Sequence, residues 1–308
     1  MKIAVLGSVM VDLMSYADKM PEAGETREAE DCSIGCGGKG ANQAIAAAHM
    51  DADVLMIARV GDDIFGETAI ENFRSHHVDA SYVKKVPGVG NGMATVFVDA
   101  SSQNRILIYK GANLHLKPVD IEAAAADLKQ CDLLVLQLEV PLETVYAAID
   151  FASSQQIPVL LNPAPASADL DIDKICQCEF FVPNETELSI LTGRLVDTEK
   201  QIREAAEFLV GKGLKNVIVT MGEKGALWVD AAHAEKIASF KVKAVDTTGA
   251  GDAFIGSFAH AYVQTKDIPF AMRQGAAYAA LSVSKRGTQA SYPLKTEVEE
   301  FLQTARQL

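Results

Sequence analysis

Short apolar runs alternate with longer amphipathic segments along most of this 308-residue chain, and this alternation limits its fold more than any other feature. Residues 3–6 and 159–161 are apolar at every position, which is typical of strands that are buried on both faces of a parallel sheet. The segments between such runs have the apolar spacing of helices. The pattern therefore predicts a three-layer α/β fold, in which helices cover both faces of a mostly parallel sheet.

The predicted elements repeat this pattern along the chain. We expect strands at residues 3–6, 54–60, 133–138, 159–161, 180–182, 217–221 and 226–229. We expect helices at residues 41–50, 66–77, 119–128, 142–154, 185–191, 199–211, 252–264, 268–284 and 296–305. Because no linker, low-complexity run or internal repeat divides the chain, we expect a single domain over residues 1–308.

Two stretches interrupt the alternation. Residues 13–34 are polar and contain no clear helix. Residues 92–110 predict two strands, at 94–98 and 105–109, which are joined by a polar turn at 99–104. We expect a small antiparallel sheet beside the main one, and it is either a surface hairpin or a lid over a binding site.

The charge and the cysteines exclude several classes of function. The net charge of −13 disfavours nucleic-acid binding and a polybasic membrane patch, since both need a basic surface. No apolar stretch reaches the length of a membrane span. The five cysteines form no C-x-x-C pair, which favours reduced thiols in a cytoplasmic protein. An anionic ligand must therefore be bound by local groups such as backbone amides, one or two cations, or a metal.

The most informative segment is residues 246–252, with the sequence Asp-Thr-Thr-Gly-Ala-Gly-Asp, at the start of an apolar helix. Glycines at a helix start leave unpaired N–H groups that, together with the helix dipole, favour a phosphate. Asp252 lies where it can accept a proton from a hydroxyl group. The alternative is that Asp252 caps the helix and that the glycines form a tight turn.

A second glycine-rich segment spans residues 35–42, with the sequence Gly-Cys-Gly-Gly-Lys-Gly-Ala-Asn. It matches G-x-G-x-x-G, but residues 28–33 before it are not a convincing strand, so a dinucleotide site is disfavoured. Gly40 follows Lys39, so the segment is not a Walker A loop either. We interpret it as a flexible backbone that presents Lys39 and Asn42 to a hydroxylated ligand, or as a loop before a helix.

A third segment, from Asn184 to Glu187, follows the predicted strand at 180–182. These residues match a helix capping box, because Asn is a good N-cap and Glu stands three positions later. The alternative is that both side chains face hydrated Mg²⁺ and phosphate groups.

In this order, the three segments resemble the signatures of the ribokinase/phosphofructokinase-B family of carbohydrate kinases. Residues 35–42 resemble its first signature, residues 245–252 resemble its second, and the Asn184 segment matches its N-x-x-E motif. The resemblance extends to about Ser291. It implies an ATP-dependent sugar kinase with a ribokinase-like fold, one α/β domain with a small β-sheet lid from insertions at about 13–34 and 92–110, and a homodimer formed through the lids.

The resemblance also implies a role for each matched position. Asp252 corresponds to the catalytic base, and the anion hole corresponds to Gly249, Ala250 and Gly251. The sugar-contacting positions correspond to Asp12, Gly38, Lys39, Asn42 and Glu139. The Mg²⁺–phosphate network corresponds to Asn184 and Glu187, and the nucleotide-contacting positions to Thr220 and Gly222. The K⁺ site, formed partly by backbone carbonyls, corresponds to Asp246, Thr248, Ser282, Lys285, Gly287 and Ser291.

Met10 departs from the family pattern. Members that act on ribose usually have Gly-Ser-x-Asn-x-Asp near the first strand, and Met10 replaces the Asn, which in the family contacts the C2 hydroxyl. Methionine has no donor, and its thioether suits a CH₂ group. A C2 hydroxyl beside it loses a hydrogen bond, at a cost of about 1–3 kcal/mol. We therefore predict 2-deoxy-D-ribose as the preferred substrate, phosphorylated on its 5-hydroxyl.

Other interpretations remain open at this stage. Met10 can be a packing residue, with D-ribose, another small sugar or a nucleoside as the substrate. A non-catalytic sugar or nucleotide sensor on the same fold is disfavoured by the intact Asp252 and anion hole. A dinucleotide-dependent oxidoreductase has only the G-x-G-x-x-G match in its favour.

Overall fold

The structure, a computed structural model, describes residues 1–100 and 104–304. Its middle layer is a nine-stranded sheet with the strand order β13-β12-β11-β10-β9-β8-β1-β4-β5. The strands of this sheet are β1 (Lys2–Leu6), β4 (Asp53–Gly61), β5 (Asp79–Val86), β8 (Leu133–Leu136), β9 (Val159–Leu161), β10 (Phe180–Phe181), β11 (Asn216–Thr220), β12 (Ala226–Val229) and β13 (Ala234–Ile237). Only the β11–β12 and β12–β13 pairs are antiparallel in the part of the sheet that is described.

Both faces of this sheet are covered by apolar contacts with helices. In β1, Ile3 and Val5 belong to one apolar cluster, whereas Ala4 and Leu6 belong to another, because successive strand residues point to opposite faces. One face is covered by α1 (Lys39–His49), α2 (Ile64–Ser75), α8 (Ala250–Thr265), α9 (Ile268–Ser282) and α10 (Lys295–Thr304). The other is covered by α3 (Pro118–Leu128), α4 (Leu142–Ser154), α5 (Ile172–Ile175), α6 (Glu185–Thr192) and α7 (Glu199–Gly211). The predicted three-layer α/β fold with a mostly parallel sheet is confirmed.

A second sheet of four strands lies beside the first, in the order β3-β2-β6-β7. Its strands are β2 (Met10–Tyr16), β3 (Asp31–Gly37), β6 (Gly92–Val98) and β7 (Asn104–Tyr109). The β2–β6 pair is parallel, and the other two pairs are antiparallel. The predicted small sheet is therefore confirmed, although residues 101–103 of the predicted turn and residue 305 of the last predicted helix lie outside the described residues.

Four strands differ from the expectations. β2, β3, β5 and β13 were not predicted, and the expectation that residues 28–33 lack a strand is wrong, since β3 begins at Asp31. Three of the four are edge strands, which are solvent-exposed on at least one side and therefore lack a continuous apolar run. β8 ends at Leu136, two residues earlier than predicted, so Gln137 and Glu139 lie in the loop after the strand. None of the described helices is long and apolar enough to cross a membrane.

Candidate active site

The two glycine-rich segments lie at the N-termini of two helices that pack against each other, α1 and α8. Gly38 and Gly249 precede these helices with φ values of 92° and 74°, a region that favours glycine. At Gly249, a Cβ atom would also overlap the side chain of Thr288. Glycine supplies no side-chain cap, and although the Ala250 N–H donates to the Thr247 carbonyl at 3.3 Å, the next N–H groups of α8, at Gly251 and Asp252, remain available to an anion.

Asp252 lies in the first turn of α8 and is 6% exposed. Its Oδ2 accepts a hydrogen bond of 3.0 Å from Nδ2 of Asn42, and its Oδ1 accepts one of 2.9 Å from Nε2 of Gln43. Oδ1 of Asn42 in turn accepts a hydrogen bond of 2.8 Å from Gln289, and Oε1 of Gln289 accepts one from Asn72. The structure therefore brings Asp252 and Asn42 together, in a buried carboxylate site with oriented amides.

A polar cavity of about 290 Å³ lies in front of Asp252. Its lining includes the predicted residues Lys39, Asn184, Glu187, Thr220, Gly222, Gly249, Ala250, Gly251 and Asp252. The negative charge of Asp252 raises the pKa of Lys39 against the opposing effect of burial, and Glu139 and Glu187 add to the increase. A cation and the N-terminus of α8 thus face the same polar space.

Asn184 and Glu187 form the predicted capping box and also line the polar cavity. Oδ1 of Asn184 accepts from the Glu187 N–H, and Oε2 of Glu187 accepts from the Asn184 N–H, both at 2.8 Å. Burial raises the pKa of Glu187, although the Asn184 N–H and the charge of Lys39 oppose this increase. The two interpretations of this segment are therefore compatible, because the cap holds the carboxylate at the edge of the cavity.

An apolar cavity of about 690 Å³ adjoins the polar one, and the two share Thr220, Gly222, Thr247, Ala250 and Gly251. Its apolar lining includes Phe240, Val242, Phe254, Ala276, Ala280 and Val283. Sequence reasoning missed these residues, since they come from separate segments that only folding brings together. The one available signal was the alternation of apolar residues with lysines at 240–245, just before the 246–252 motif.

Met10 and Asp12 project from the same face of β2, because they are two residues apart. The cross-strand partners of Met10 are Gly37 and Gly92, and those of Asp12 are Gly35 and Ala94. Met10, which is 2% exposed, and Asp12 are therefore flanked by very small residues on both neighbouring strands. The same face of the small sheet borders a cleft of about 410 Å³, which Asp12, Asn72 and Gln289 line.

Three carboxylates concentrate negative charge at this point. Burial, with added repulsion from Glu139 and Asp252, raises the pKa of Asp12 from 3.8 to about 6. The Glu139 carboxylate is 6% exposed, and its Oε2 accepts hydrogen bonds from Ser8 Oγ at 2.5 Å and from the Lys39 N–H at 3.0 Å. Ser8, which sequence reasoning missed, thus links Glu139 to the start of α1, next to Gly38.

Among the residues predicted for a K⁺ site, the structure connects Asp246 to Thr248 and Gly287. Oδ1 of Asp246 accepts from the N–H and hydroxyl of Thr248 at 2.9 and 2.7 Å, and Oδ2 accepts from the Gly287 N–H at 3.0 Å. Burial favours a higher pKa for Asp246, but these hydrogen bonds and the charge of Arg286 outweigh it and lower the pKa.

The side chains of the other three predicted K⁺ residues point elsewhere. Ser282 and Ser291 donate to carbonyl groups of their own segments, and the Lys285 ammonium pairs with Glu297 at 3.2 Å. The two loops nevertheless meet, since the carbonyl of Val283 accepts from the N–H groups of residues 245 and 246. Carboxylate, hydroxyl and carbonyl oxygens are a donor set that fits a monovalent cation.

Together, these groups can accept a proton, bind an anion and hold an aromatic ring. A buried carboxylate faces a polar cavity that contains a lysine and a helix N-terminus, and an apolar cavity extends from it. This geometry suits transfer of a phosphoryl group from a nucleotide to a hydroxyl, which needs alignment and stabilisation of charge more than covalent chemistry.

Comparisons with known proteins agree with this description. The family model for pfkB family carbohydrate kinases matches residues 1–295. A protein named deoxyribokinase from Salmonella typhi is 57% identical over 302 residues, covering 98% of this chain and 99% of its own length. A crystal structure of ribokinase from Thermotoga maritima is similar, with a TM-score of 0.88 and 35% identity over 98% of this chain and 99% of that one. A structure of Arabidopsis thaliana ribokinase complexed with ribose and ATP is also similar, with a TM-score of 0.90 and 30% identity over 98% of both chains.

Proposed function

This chain belongs to the pfkB family of carbohydrate kinases, and within that family we propose that it transfers the γ-phosphoryl group of ATP to the 5-hydroxyl of 2-deoxy-D-ribose. The product is 2-deoxy-D-ribose 5-phosphate. The full-length similarity to a protein named deoxyribokinase supports this substrate.

One structural observation carries the choice of sugar. Met10 lies between Gly37 of β3 and Gly92 of β6. Neither neighbour at this register position therefore has a side chain larger than a hydrogen atom. A sugar that binds against this face of the small sheet contacts an apolar thioether beside the carboxylate of Asp12. Such a surface suits a CH₂ group, whereas a hydroxyl group there lacks a strong partner.

In the proposed reaction, Asp252 accepts the proton of the 5-hydroxyl as that oxygen attacks the γ-phosphorus. The bond from the γ-phosphorus to the oxygen that bridges it to the β-phosphorus breaks, and ADP leaves. The N–H groups at Gly249, Ala250 and Gly251 bind the transferring phosphoryl group, and the lysine of the polar cavity adds positive charge. The phosphates of ATP occupy the polar cavity, and the adenine occupies the apolar one. The small sheet excludes water, which otherwise competes with the sugar as acceptor.

Two ions complete the proposal. Mg²⁺ typically binds one or two carboxylates together with substrate phosphates, and Glu187 and Asn184 offer suitable oxygens at the polar cavity. When bound, it neutralises phosphate charge. K⁺ fits between the loop of Asp246 and Thr248 and the loop at 282–291, where it supports the loop that leads into α8.

We also propose a homodimer through the small sheet. Ile34, Leu13, Thr95 and Leu107 form one row across its four strands, on the face opposite to Asp12. Ile34 and Leu107 are 69% and 73% exposed, and Tyr109 on the same face is 57% exposed. An exposed apolar row of this kind is typical of a protein interface, and a second copy of the sheet covers it symmetrically. We place the enzyme in the cytoplasm, in keeping with its five unpaired thiols.

A sugar panel with ATP and Mg²⁺ tests the proposed function. We expect 2-deoxy-D-ribose to give the highest kcat/KM and D-ribose a lower but measurable value, because an apolar site rejects an added hydroxyl only modestly. Nuclear magnetic resonance of the product should locate the phosphate on C5. If no pentose yields a phosphate ester, the proposal is wrong; if D-ribose is strongly preferred, the enzyme is a ribose kinase.

A further inference from the structure

Two consecutive residues of α1 hold the two oxygens of one carboxylate. Asn42 donates to Oδ2 of Asp252, and Gln43 donates to Oδ1. The close approach of α8 to α1 makes this double contact possible. At Gly256, one turn after Asp252, a Cβ would lie 2.6 Å from the Gln43 carbonyl oxygen and 2.5 Å from Cβ of Ala46.

The amide of Gln43 has only one orientation that satisfies its neighbours. Its Oε1 accepts a hydrogen bond of 2.7 Å from Nε2 of Gln137, so its nitrogen must face Asp252. The same nitrogen lies 3.3 Å from Oδ1 of Asn162, whose own amide nitrogen donates to the carbonyl of Val182 at 2.8 Å. If the Gln43 amide were rotated by 180°, each of the three contacts would pair two donors or two acceptors.

This set of contacts is buried and rigid. Gln43 is 1% exposed, Gln137 is 0% exposed and Asn162 is 6% exposed. Gln137 and Asn162 come from the loops after β8 and β9, so the main sheet anchors them. The contacts cost more to break than surface contacts do, since a buried polar group that loses its partner also loses its solvation.

We propose that Gln43 is a positioning residue of the phosphoryl-transfer reaction, holding the Asp252 carboxylate in the orientation that accepts the sugar proton. This inference rests on the proposed function. Two amide donors on opposite oxygens prevent the carboxylate from rotating. Gln43 acts through Asp252, without touching the substrate.

The variant Gln43→Met keeps the length of the side chain and removes the amide. We expect kcat to fall about 10- to 100-fold, since small errors in the alignment of a reacting group have effects of this size. The KM for sugar should change less than about threefold. This split between kcat and KM is the readout that a merely structural role would not produce, because a general loss of structure would affect sugar binding as well.

A second variant, Gln137→Met, guards against a folding defect in the first. It leaves Gln43 in place but removes the donor that fixes the Gln43 amide. We expect the same split between kcat and KM, with a smaller fall in kcat. Asn216→Leu is the control for lost buried hydrogen bonds. Asn216 is 8% exposed and bonds to Glu179 and Trp228, at the end of β11 opposite to Thr220. Its loss should lower Tm and leave both kcat and the KM for sugar unchanged.

The outcomes separate this inference from the proposed function. An inactive wild-type protein overturns both. An active wild-type enzyme with unchanged kcat in folded Gln43→Met, or in folded Gln137→Met if the first variant does not fold, overturns the positioning role alone. A fall in kcat that appears equally in Asn216→Leu, or that is matched by an equal rise in the KM for sugar, shows a merely structural role and also overturns it.

Discussion

Nδ2 of Asn42 donates to Oδ2 of Asp252 across 3.0 Å, although the two residues are 210 positions apart in the chain. Asn42 ends the first glycine-rich segment and Asp252 ends the second. The contact therefore joins the two segments into one site. An acidic chain that binds a nucleotide there needs no basic surface. Local N–H groups and Lys39 face the polar cavity instead.

Asp252→Ala should reduce kcat by about 10²- to 10⁴-fold, the usual contribution of a general base. Sugar affinity should change only a few-fold, because the other sugar-facing groups remain. Steady-state kinetics and isothermal titration calorimetry with the sugar alone measure the two effects separately. Near-normal turnover in this variant would refute the assignment of Asp252 as the base.

Asp12→Asn should stabilise the ligand-free protein at pH 8 by about 2–3 kcal/mol, given that the pKa of Asp12 is raised from 3.8 to about 6. The folded state binds this proton more tightly than the unfolded state, so the charged carboxylate costs stability increasingly as pH rises from about 4 to 6. Below about pH 4 the difference should vanish. Urea unfolding at several pH values measures it.

The same variant should raise the KM for sugar, since a hydroxyl donor loses its charged acceptor. Asp31→Asn, at the exposed end of β3, is the control, and we expect it to change stability by less than about 0.5 kcal/mol. If Asp12→Asn destabilises the protein at pH 8, the repulsion inferred among Asp12, Glu139 and Asp252 is absent.

Gly249→Ala should mainly lower the free energy of unfolding, whereas Gly251→Ala should mainly raise the KM for ATP. At Gly249, φ is 74° and a Cβ would overlap Thr288, so we expect a loss of at least about 1–2 kcal/mol in the free energy of unfolding. At Gly251, no atom lies within 4 Å of a Cβ, so stability should change by less than about 1 kcal/mol.

The added methyl of Gly251→Ala should nevertheless raise the KM for ATP at least about tenfold, because Gly251 borders both the polar and the apolar cavity. Thermal unfolding and nucleotide titrations distinguish the two variants. An unchanged KM for ATP in Gly251→Ala would place the phosphates elsewhere.

Leu107→Glu should convert the proposed dimer into monomers, because it puts a charge at the β7 end of the exposed apolar row. Sedimentation velocity measures the change. Ile190→Glu, at a 48% exposed position on α6, is the matched control and should leave the dimer intact. A wild-type protein that is monomeric at micromolar concentration would contradict the proposed interface.

Much of the fold could be predicted because local pattern decides it. The apolar runs of β1, β9 and β12 are buried on both faces, and the helix at 142–154 and the cap at Asn184 follow from local spacing and capping chemistry. β3 could not be predicted, because five of its seven residues are exposed and only pairing with β2 makes it a strand.

The site was less predictable for a related reason. Motifs pointed to Asp252, Lys39 and Glu187, whereas the partners of Asp252 depend on distant packing. Gln43 directly follows the first glycine-rich segment, but its contact with Asp252 forms only because α8 packs closely against α1. The apolar cavity combines Phe240, Phe254 and Ala280 from three segments, and none of these residues has a chemical signature by itself.

The most direct test of the account is the ratio of kcat/KM for 2-deoxy-D-ribose to that for D-ribose, measured in the wild-type enzyme and in Met10→Asn. We expect the wild-type ratio to exceed one and Met10→Asn to lower it about 5- to 150-fold, which corresponds to the 1–3 kcal/mol of a regained hydrogen bond. Met14→Asn, on the same face of β2 but within an apolar cluster, should leave the ratio within about twofold. A wild-type enzyme that turns over D-ribose far better, or a ratio that Met10→Asn leaves unchanged, would contradict the account.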